Sequence, residues 1–402
     1  MKILQLHNRY QIVGGEEGVV QAEKSLLESH GHQVDLLEVT NDDLVGVKAK
    51  LDAAIGAIYS QVSKRQVLAK LRSFKPDLVH VHNFFPLLSP SVYDACREAG
   101  IPVVQTLHNY RLICPKAMLF RDGQVCEACV GKSVAIAGIQ SGCYRNSRSQ
   151  TAVVAAMLAY HQWRGTWQNR VTIYIALTEF QKQKLIQGGI PEHKIQVKCN
   201  FVQMPDLVPV AREDTILFVG RLAEEKGVID LIAAYEQAQQ SGQMLPGLKI
   251  VGDGPLKAEL MARVVGSGLD DRIMFLGHQD KSKVLELMQR SKLLVFPSIW
   301  YEGFPLTLAE AFACGLPAVV PNLGSMAEIV TPEVTGFHFV SRNVNDLARV
   351  IQAAIEDKVL LKHCSTQTRI IYEQNYTAEI NYDRLLQIYH QALGSKDLAQ
   401  RL

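Results

Sequence analysis

The sequence predicts an α/β protein built from two doubly wound domains, and three observations carry this prediction. The chain has 402 residues, more than one ordinary domain needs. Short apolar segments typical of buried strands alternate with helical segments in both halves of the chain, a pattern that indicates parallel sheets. A proline-rich stretch near residues 203–209 separates the two halves and predicts a domain boundary there.

These patterns divide the chain into three segments. Residues 1–205 are expected to form a first domain and residues 210–372 a second. Residues 373–402 are expected to form a C-terminal helix that packs back on the first domain. An excursion over residues 111–149 interrupts the alternation of strands and helices in the first domain.

The first domain begins with a buried strand over residues 2–8, followed by a glycine-rich turn and a helix to about residue 29. Gly14 and Gly15 in this turn would let the backbone approach a ligand closely, although such glycines are often only structural. Further strand patterns lie at 33–40, 78–83, 102–108 and 172–178, and helical patterns lie at 89–99 and 179–187.

Polar side chains follow these strands at their carboxyl ends, where doubly wound sheets bind ligands. His108 follows the fourth strand. Other candidates for contacts with a ligand are Glu16, His82, Asn83 and Asn109. A histidine at a strand end is also often a structural residue, and that alternative stays open.

Four cysteines lie inside the excursion: Cys114, Cys126, Cys129 and Cys143. Two of them form a C-x-x-C pair, which in a cytosolic chain favours metal binding over a disulfide. The spacings around the pair match no standard zinc finger, so redox disulfides and four unrelated thiols remain alternatives to structural zinc.

The second domain repeats the pattern. Strands are predicted at 215–219, 248–251, 273–276, 293–296 and 318–321, and helices at 228–239, 256–265, 281–290, 344–356, 358–372 and 377–393. The first of these strands ends at Gly220, followed by Arg221 and Lys226, two cations that could hold a diphosphate. A surface pairing with nearby glutamates is the alternative. Gly252 and Gly254 after the next strand again allow close backbone approach.

The stretch S-I-W-Y-E-G-F-P-L-T-L-A-E-A-F-A-C-G-L-P over residues 298–317 predicts a loop, a helix that starts near Pro305, and a stop at Gly315. Glu302 and Glu310 therefore flank a helix N-terminus, which attracts an anion such as phosphate. Ionised carboxylates accept hydrogen bonds from hydroxyl groups. The combination favours a pocket for a sugar nucleotide.

The composition excludes other classes. The net charge is only +2, and no dense basic cluster interleaved with aromatic residues indicates nucleic-acid binding. No apolar run approaches the roughly 20 residues of a membrane helix, and the N-terminus lacks a signal-peptide pattern, so a cytoplasmic protein is expected. Basic residues over 48–75, interleaved with apolar ones, predict either a contact with the anionic inner face of the cytoplasmic membrane or an ordinary solvated helix.

With these motifs together, the chain resembles the retaining glycosyltransferases of the GT-B fold, in the family that includes sucrose synthases, phosphatidylinositol mannosyltransferases and bacterial polysaccharide transferases. The resemblance covers nearly the whole chain. Its signature is two glutamates with seven residues between them, here Glu302 and Glu310, in E-G-F-P-L-T-L-A-E-A-F-A-C-G-L-P. It implies two Rossmann-like domains that face a central cleft, with the acceptor side in the first and the nucleotide-sugar side in the second.

The resemblance also implies residue roles. Glu302 would hold the hydroxyls of the donor sugar, Glu310 the ribose, and Arg221 and Lys226 the diphosphate, while His108 would lie near the reacting carbon. The donor-binding positions it implies are Gly14, Gly15, Gly220, Gly252, Gly254, Gly303, Phe304, Leu306, Thr307 and Glu310. Pro305 departs from the family, where glycine is common.

These expectations predict transfer of a sugar from a nucleoside diphosphate sugar to a hydroxyl of a glycan or lipid-linked acceptor, in envelope or exopolysaccharide synthesis. No cofactor is expected for catalysis, since the chain has no D-x-D motif that would hold a divalent cation. A sugar-nucleotide epimerase and a non-catalytic carbohydrate-binding protein of the same fold are the alternatives.

Overall fold

A computed structural model describes residues 1–9, 15–40, 55–204 and 210–399. It confirms the predicted fold class, because it contains two sheets of six parallel strands flanked by helices. The chain divides into two compact units. Unit 1 comprises Met1–Leu119, Cys126–Asn200 and Ala378–Leu402, and unit 2 comprises Phe120–Val125 and Phe201–Thr377.

The sheet of unit 1 has the strand order β2-β1-β3-β4-β7-β8. Its strands are β1 (Lys2–Arg9), β2 (Gln33–Thr40), β3 (Leu78–Asn83), β4 (Val103–Thr106), β7 (Ile173–Ala176) and β8 (Ile195–Val197). Because every pair is parallel, the carboxyl ends of all six strands meet at one edge of the sheet. That edge carries the histidines described below.

The helices of unit 1 are α1 (Gly15–Ser29), α2 (Gln61–Phe74), α3 (Ser91–Glu98), α4 (Ile136–Gln140), α5 (Arg148–Trp163), α6 (Thr166–Asn169), α7 (Glu179–Gln187) and the C-terminal α15 (Ala378–Ala399). Helix α15 packs on this unit: Leu385, Ile388 and Tyr389 share one buried core cluster with Ile3 of β1 and Ile175 of β7. The sequence prediction did not identify α5. Its buried residues lie on one face, but alanines and a valine also occupy the other faces, so the two-faced apolar pattern that reveals a surface helix is weak.

The cysteine-containing excursion has little regular structure. It contains α4 and a two-stranded antiparallel hairpin of β5 (Phe120–Arg121) and β6 (Gln124–Val125). Among the described residues, no helix is both long and apolar enough to cross a membrane.

The sheet of unit 2 has the order β11-β10-β9-β12-β13-β14, again with all strands parallel. Its strands are β9 (Thr215–Val219), β10 (Gly247–Val251), β11 (Ile273–Gly277), β12 (Leu293–Val295), β13 (Ala318–Pro321) and β14 (Gly336–Phe339). Strands β9 and β12 are neighbours at the centre, with Ile216 opposite Leu293 and Leu217 opposite Leu294. This pairing brings the loops that follow the two strands together.

Seven helices of unit 2 have bounds in the described part of the chain: α8 (Val228–Gln240), α9 (Lys257–Gly266), α10 (Lys281–Arg290), α11 (Leu306–Ala313), α12 (Gly324–Ile329), α13 (Val344–Glu356) and α14 (Lys358–Asn375). Apolar residues of α8, α9 and α13 pack against the sheet in one buried core that includes Phe218, Leu231 and Ile351. Burial of this surface, at about 25 cal/mol per Å² of apolar area, stabilises the unit.

Candidate active site

Glu302 lies in the loop after β12 and is fixed by three donors. Its Oε1 atom accepts hydrogen bonds from the Ser298 hydroxyl at 2.7 Å, the Trp300 indole N–H at 2.9 Å and the Lys226 ammonium at 2.7 Å. The main-chain carbonyl of Glu302 accepts a fourth hydrogen bond from the Ser325 hydroxyl at 2.7 Å. The side chain is only 8% exposed. The carboxylate is therefore held in one place before any ligand arrives.

Lys226 reaches Glu302 from the short 3₁₀ turn Glu224–Lys226 that follows β9. The two loops are joined through Glu225, whose carbonyl accepts hydrogen bonds from the Ile299 amide at 2.9 Å and the Ser298 hydroxyl at 3.1 Å. The Lys226 ammonium also lies 5.5 Å from the centroid of the Trp300 ring. The sequence predicted separate ligands for Lys226 and Glu302, whereas the structure joins them in one ion pair.

The helix after this loop, α11, begins at Leu306 with Pro305 as its N-cap residue and no side-chain cap. Its first amides, including those of Leu306 and Thr307, therefore lack intrahelical acceptors. Glu310 lies one turn into this helix, 3.8 Å from the Lys281 ammonium. Burial raises the pKa of Glu310, and Lys281 partly opposes that change. The arrangement can accept an anion at the helix start and hydroxyl groups at the carboxylates.

The other predicted donor-binding residues of unit 2 differ in their exposure to solvent. Arg221 is exposed. Phe304 is buried, with its ring 5.6 Å from that of Tyr376, so its side chain belongs to the core. Gly303 is half-buried in the loop between Glu302 and α11.

Gly252 and Gly254 have a packing role. Gly252 has φ +135°, and a Cβ there would collide with the carbonyl of Gly220. A Cβ on Gly254 would collide with the carbonyl of Leu222. The loops after β9 and β10 thus pack backbone against backbone, and this close approach by itself explains why glycine occupies both positions.

In unit 1, His108 follows β4 and contacts a second predicted residue, His82. His108 Nε2 lies 3.1 Å from His82 Nδ1, and His82 Nε2 lies 3.2 Å from Glu23 Oε1. Lys198 also reaches Glu23, with its ammonium 3.3 Å from Oε2. Burial, and next the nearby His82, lowers the pKa of His108 well below its usual range.

Glu23 and Lys198 were missed by the sequence analysis, although a signal for Glu23 existed. Val19, Val20, Leu26 and Leu27 form the buried face of α1, and Glu23 lies three to four residues from each pair on that same face. A charged residue on an apolar face is buried only with a partner. Lys198 had no comparable signal, since it follows β8, a strand of three residues.

The remaining predicted residues of unit 1 lie near this cluster or are explained by local structure. Glu16 Oε1 lies 3.7 Å from His7 Nδ1, and burial, followed by Glu17, raises the pKa of Glu16 well above its usual range. Asn83 donates to the Asn8 carbonyl at 2.8 Å and accepts from the Phe85 amide at 3.0 Å.

Asn109 and the glycine-rich turn complete this set. The Asn109 side chain accepts a hydrogen bond from the Arg111 amide at 3.0 Å. Gly15 is the first residue of α1, and Gly14 lies outside the described residues.

The structure does not support the predicted zinc site. Cys114, Cys126, Cys129 and Cys143 are not joined by disulfides. Burial, and then the thiols of Cys114, Cys143 and Cys126, raise the pKa of Cys129. However, no three of these four described sulfur atoms lie within 4.8 Å of one another, as a shared metal ion would require.

Two protein families together match nearly the whole chain. The family of Glycosyl transferases group 1 matches residues 203–371, and Glycosyltransferase Family 4 matches residues 13–204. The boundary between the matches falls close to the boundary between the two structural units.

Individual proteins show the same similarity. The chain is 35% identical over 293 residues to a glycogen synthase of Mycobacterium tuberculosis, which covers 71% of this chain and 62% of the relative. It is 29% identical to a lipopolysaccharide 1,6-galactosyltransferase of Escherichia coli over 56% of this chain and 62% of the relative. The chain thus spans about 62% of the length of these curated relatives.

Among solved structures, Anabaena Alr3699/HepE in complex with UDP has the same fold. It aligns with a TM-score of 0.67 and 21% identity, over 96% of this chain and 99% of that one.

Proposed function

We propose that this chain, which matches two glycosyltransferase families over adjoining segments and has the GT-B fold, transfers a sugar from a nucleoside diphosphate sugar to a hydroxyl of a glycan or lipid-linked acceptor. The observation that carries this proposal is the preformed cluster at the carboxyl edge of the unit 2 sheet. There Glu302 is fixed by Lys226, Ser298 and Trp300 directly before the uncapped start of α11.

The chemistry follows from the charge that the reaction develops. Cleavage of the sugar–phosphate bond leaves negative charge on the departing diphosphate. Arg221, Lys226 and the amides at the start of α11 are the groups of unit 2 that can stabilise it. Glu302 accepts hydrogen bonds from hydroxyls of the donor sugar, and Glu310 accepts them from the ribose.

We further propose that the anomeric configuration is retained. The described site of unit 2 holds Glu302 by three donors, one of them a lysine, and such a carboxylate is a weak nucleophile. A route that retains configuration without a carboxylate nucleophile is attack by the acceptor hydroxyl from the side on which the diphosphate departs, with the hydroxyl proton passing to the departing phosphate oxygen; the sequence resemblance to retaining enzymes favours this route over direct inversion. The anomeric configuration of the purified product, measured by NMR, tests this proposal, and an inverted product would contradict it.

The donor and the pathway are proposed by analogy with similar proteins. A solved neighbour is complexed with UDP-glucose, and similar proteins include an amylovoran biosynthesis glycosyltransferase of Erwinia amylovora. UDP-glucose is therefore the first donor to test, and a glycan of the cell envelope or an exopolysaccharide is the expected product.

The experiment is an incubation of the purified chain with UDP-, GDP- and ADP-sugars and with glycan and lipid-linked acceptors. Transfer should occur with one donor and fall strongly in Glu302→Gln and Arg221→Ala. Arg349→Ala, on the exposed face of α13, is the matched control and should keep full activity. Absence of transfer with every pair would contradict the proposal. Donor turnover without acceptor would favour an epimerase, and donor binding without turnover a non-catalytic binding protein.

A peripheral membrane contact of unit 1 is a separate proposal. Trp163 at the end of α5 is 82% exposed and Val62 at the start of α2 is 64% exposed. These helix ends are neighbours, because His161 Nε2 lies 2.8 Å from the Ile58 carbonyl and Arg164 lies over the Tyr59 ring. Exposed aromatic and aliphatic side chains beside basic residues suit an anionic lipid surface on the cytoplasmic side.

The basic face predicted over residues 48–75 is partly neutralised where it is described. Lys64 pairs with Glu98 at 2.8 Å and Lys70 with Asp35 at 2.6 Å, while Lys48 and Lys50 lie outside the described residues. Sedimentation with anionic vesicles should therefore depend more on Trp163→Ser than on Lys70→Ser. Met244→Ser, an equally exposed apolar position of unit 2, is the control. Equal sedimentation of all variants would contradict the proposal.

A further inference from the structure

A chain of three side chains runs from the buried face of α1 to the end of β4 in unit 1. Glu23 Oε1 lies 3.2 Å from His82 Nε2, and His82 Nδ1 lies 3.1 Å from His108 Nε2. The two imidazole rings are 19° from coplanar with centroids 5.4 Å apart, so the facing nitrogens meet edge to edge. Glu23 is 1% and His82 3% exposed, whereas His108 is half-buried.

The ionisation of the three groups follows from their surroundings. Burial acts to raise the pKa of Glu23, but His80 and Lys198 hold it well below its usual range, so Glu23 is a carboxylate. Burial, and next the nearby His80, lowers the pKa of His82 to about 4. His108 is lowered well below its usual value as well. At neutral pH both rings are therefore neutral.

The position of each proton can then be deduced. A carboxylate only accepts hydrogen bonds, so the proton of His82 is favoured on Nε2, the nitrogen that lies 3.2 Å from Glu23 Oε1. This contact is electrostatic and does not have hydrogen-bond geometry, and His80 Nδ1 lies 3.0 Å from the same oxygen. A neutral imidazole carries one proton, which leaves His82 Nδ1 as an acceptor. His108 Nε2 must then donate to it. The proton of His108 is thereby placed on Nε2, and Nδ1 carries a lone pair.

We propose that Glu23 and His82 are positioning residues that hold His108 in the Nε2–H tautomer, so that its Nδ1 atom offers a hydrogen-bond acceptor to a hydroxyl group of the substrate. This proposal rests on the function proposed above in one respect, namely that the substrate is a sugar. In this role His108 orients a substrate hydroxyl by accepting its hydrogen bond. At neutral pH the neutral ring does not act as a general acid toward the substrate.

A metal ion is the competing occupant of this cluster, because ligand atoms of Glu23, His80 and His82 lie within 4.8 Å of one another. The charge balance argues against it. The buried Lys198 ammonium already neutralises Glu23, and His80 Nδ1 lies 2.7 Å from the Tyr389 hydroxyl. A divalent cation would have to displace or repel the lysine, whose ammonium has a second partner in the Asn381 side chain at 3.1 Å.

The first test needs no substrate. Long-range ¹H–¹⁵N spectra of the full chain with ¹⁵N-labelled histidine distinguish the two neutral tautomers and the imidazolium. His108→Gln identifies the resonances of His108. We expect an unprotonated Nδ1 in the unsubstituted protein at pH 7, and the same spectrum after addition of Zn²⁺. A protonated Nδ1, or Zn²⁺-induced shifts of His80 and His82, would overturn the proposal.

The second test uses variants. Glu23→Gln replaces the carboxylate with an amide that can donate to His82 Nε2, so the Nδ1 resonance of His108 should move toward the protonated form. Glu28→Gln, on the exposed side of the same helix and paired with Lys24, should leave the tautomer unchanged. An unchanged tautomer in folded Glu23→Gln would contradict the positioning role.

Turnover provides a third test, with deoxy and fluoro analogues of the active donor. If His108 accepts a hydrogen bond, replacing the contacted hydroxyl with hydrogen or with fluorine should reduce kcat equally, because neither group donates. In Glu23→Gln, kcat should fall by up to about 100-fold, and KM should change by a smaller factor, because the substrate hydroxyl still binds but is misplaced.

If fluorine restores turnover, the tautomer assignment is wrong. If no donor is turned over, the proposed function fails while the spectra still decide the tautomer.

Discussion

The Lys226 ammonium lies 2.7 Å from Glu302 Oε1, although the two residues are 76 positions apart in the chain. The backbone next to Lys226 packs closely against the backbone that precedes the Glu302 loop. Gly227 adopts φ +66°, and a Cβ there would collide with the carbonyl of Pro297. Because Lys226 is 20% and Glu302 8% exposed, water can screen the pair only partly. A bound diphosphate would add a third charge to an interaction that is already formed.

The first prediction concerns this coupling. Lys226→Gln should lower kcat/KM by about 100- to 1000-fold, because the leaving diphosphate loses a cation. It also leaves the Glu302 carboxylate without its counter-charge. The double variant Lys226→Gln with Glu302→Gln should therefore lose less than the sum of the two single losses in free energy. Steady-state kinetics of the three variants measure this coupling.

Trp300→Phe is the matched control for that cycle. Phenylalanine keeps an aromatic ring beside the Lys226 ammonium, although a smaller one, and removes the indole N–H that donates to Glu302 at 2.9 Å. The loss of one such hydrogen bond should cost about 1.5–3 kcal/mol in kcat/KM. Strictly additive losses for Lys226 and Glu302 would show that the ion pair has no part in binding or turnover.

The second prediction separates packing from ligand binding at Gly254. Gly254→Ala should lower the thermal unfolding midpoint of unit 2 in the absence of any nucleotide, because the new Cβ would collide with the Leu222 carbonyl. Gly266→Ala at the end of α9 is the control, since its Cβ would meet nothing within 4 Å. That change should stabilise unit 2 by about 0.5–1 kcal/mol. If Gly254→Ala unfolds like the unsubstituted protein and only fails to bind donor, the packing explanation is wrong.

The fold could be predicted because it depends on local pattern, and the same pattern places the proposed site residues of unit 2 after strands. Strand and helix periodicity identified β9 and α10 with the bounds that the structure has, and parallel strands place their carboxyl ends at one edge. The pairing of Lys226 with Glu302 could not be predicted, because it depends on β9 and β12 being neighbours in the sheet. Local pattern does not specify the order of strands.

Unit 1 was predicted less completely for a related reason. His82 and His108 were found as strand-end residues, but their connection to Glu23 joins a helix to two strands. For the four cysteines the sequence left structural zinc, redox disulfides and unrelated thiols open. The order of cysteines along the chain does not determine whether their sulfur atoms converge on one point, and no three of these described sulfur atoms do.

The third prediction concerns Arg212, which holds the C-terminal end of α11. Its guanidinium donates to the carbonyls of Cys314 at 3.1 Å and Gly315 at 2.7 Å, and it also reaches the carbonyl of Ser291. Arg212→Met would leave these partly buried carbonyls without a donor, which should cost about 3 kcal/mol. The unfolding midpoint of unit 2 should fall by roughly 6–12 °C.

Thermal unfolding monitored by scanning calorimetry measures that shift. Arg349→Met is the control, because Arg349 is 70% exposed and pairs only with Asp346 of its own helix. An exposed pair of this kind is worth less than about 1 kcal/mol. Equal midpoints for the two variants would show that Arg212 does not anchor α11.

The fourth prediction concerns the stability of unit 1 in acid. Burial, followed by the nearby His82, lowers the pKa of His7 from 6.5 to about 4, and burial lowers that of His82 to about 4. The unfolded chain therefore binds these protons at a higher pH than the folded chain does, so the folded state is favoured above pH 6.5 and loses stability as the pH falls. Glu16 acts in the opposite direction, because its raised pKa means that folding binds a proton.

With His7, His82 and His108 opposed by Glu16, unit 1 should lose stability as the pH falls from about 6.5 to about 4, the window set by the histidine shifts. Thermal unfolding measured at steps through this window tests the sign. His7→Gln removes one titrating group from β1, so the stability of unit 1 should fall less steeply with pH even if the substitution lowers stability at pH 7.5.

The control is His363→Gln, on α14 of unit 2, which should leave the pH dependence of unit 1 stability unchanged. Since Glu16 offsets part of the decline, the decisive comparison is between slopes: an unchanged slope in folded His7→Gln would contradict the lowered pKa of His7.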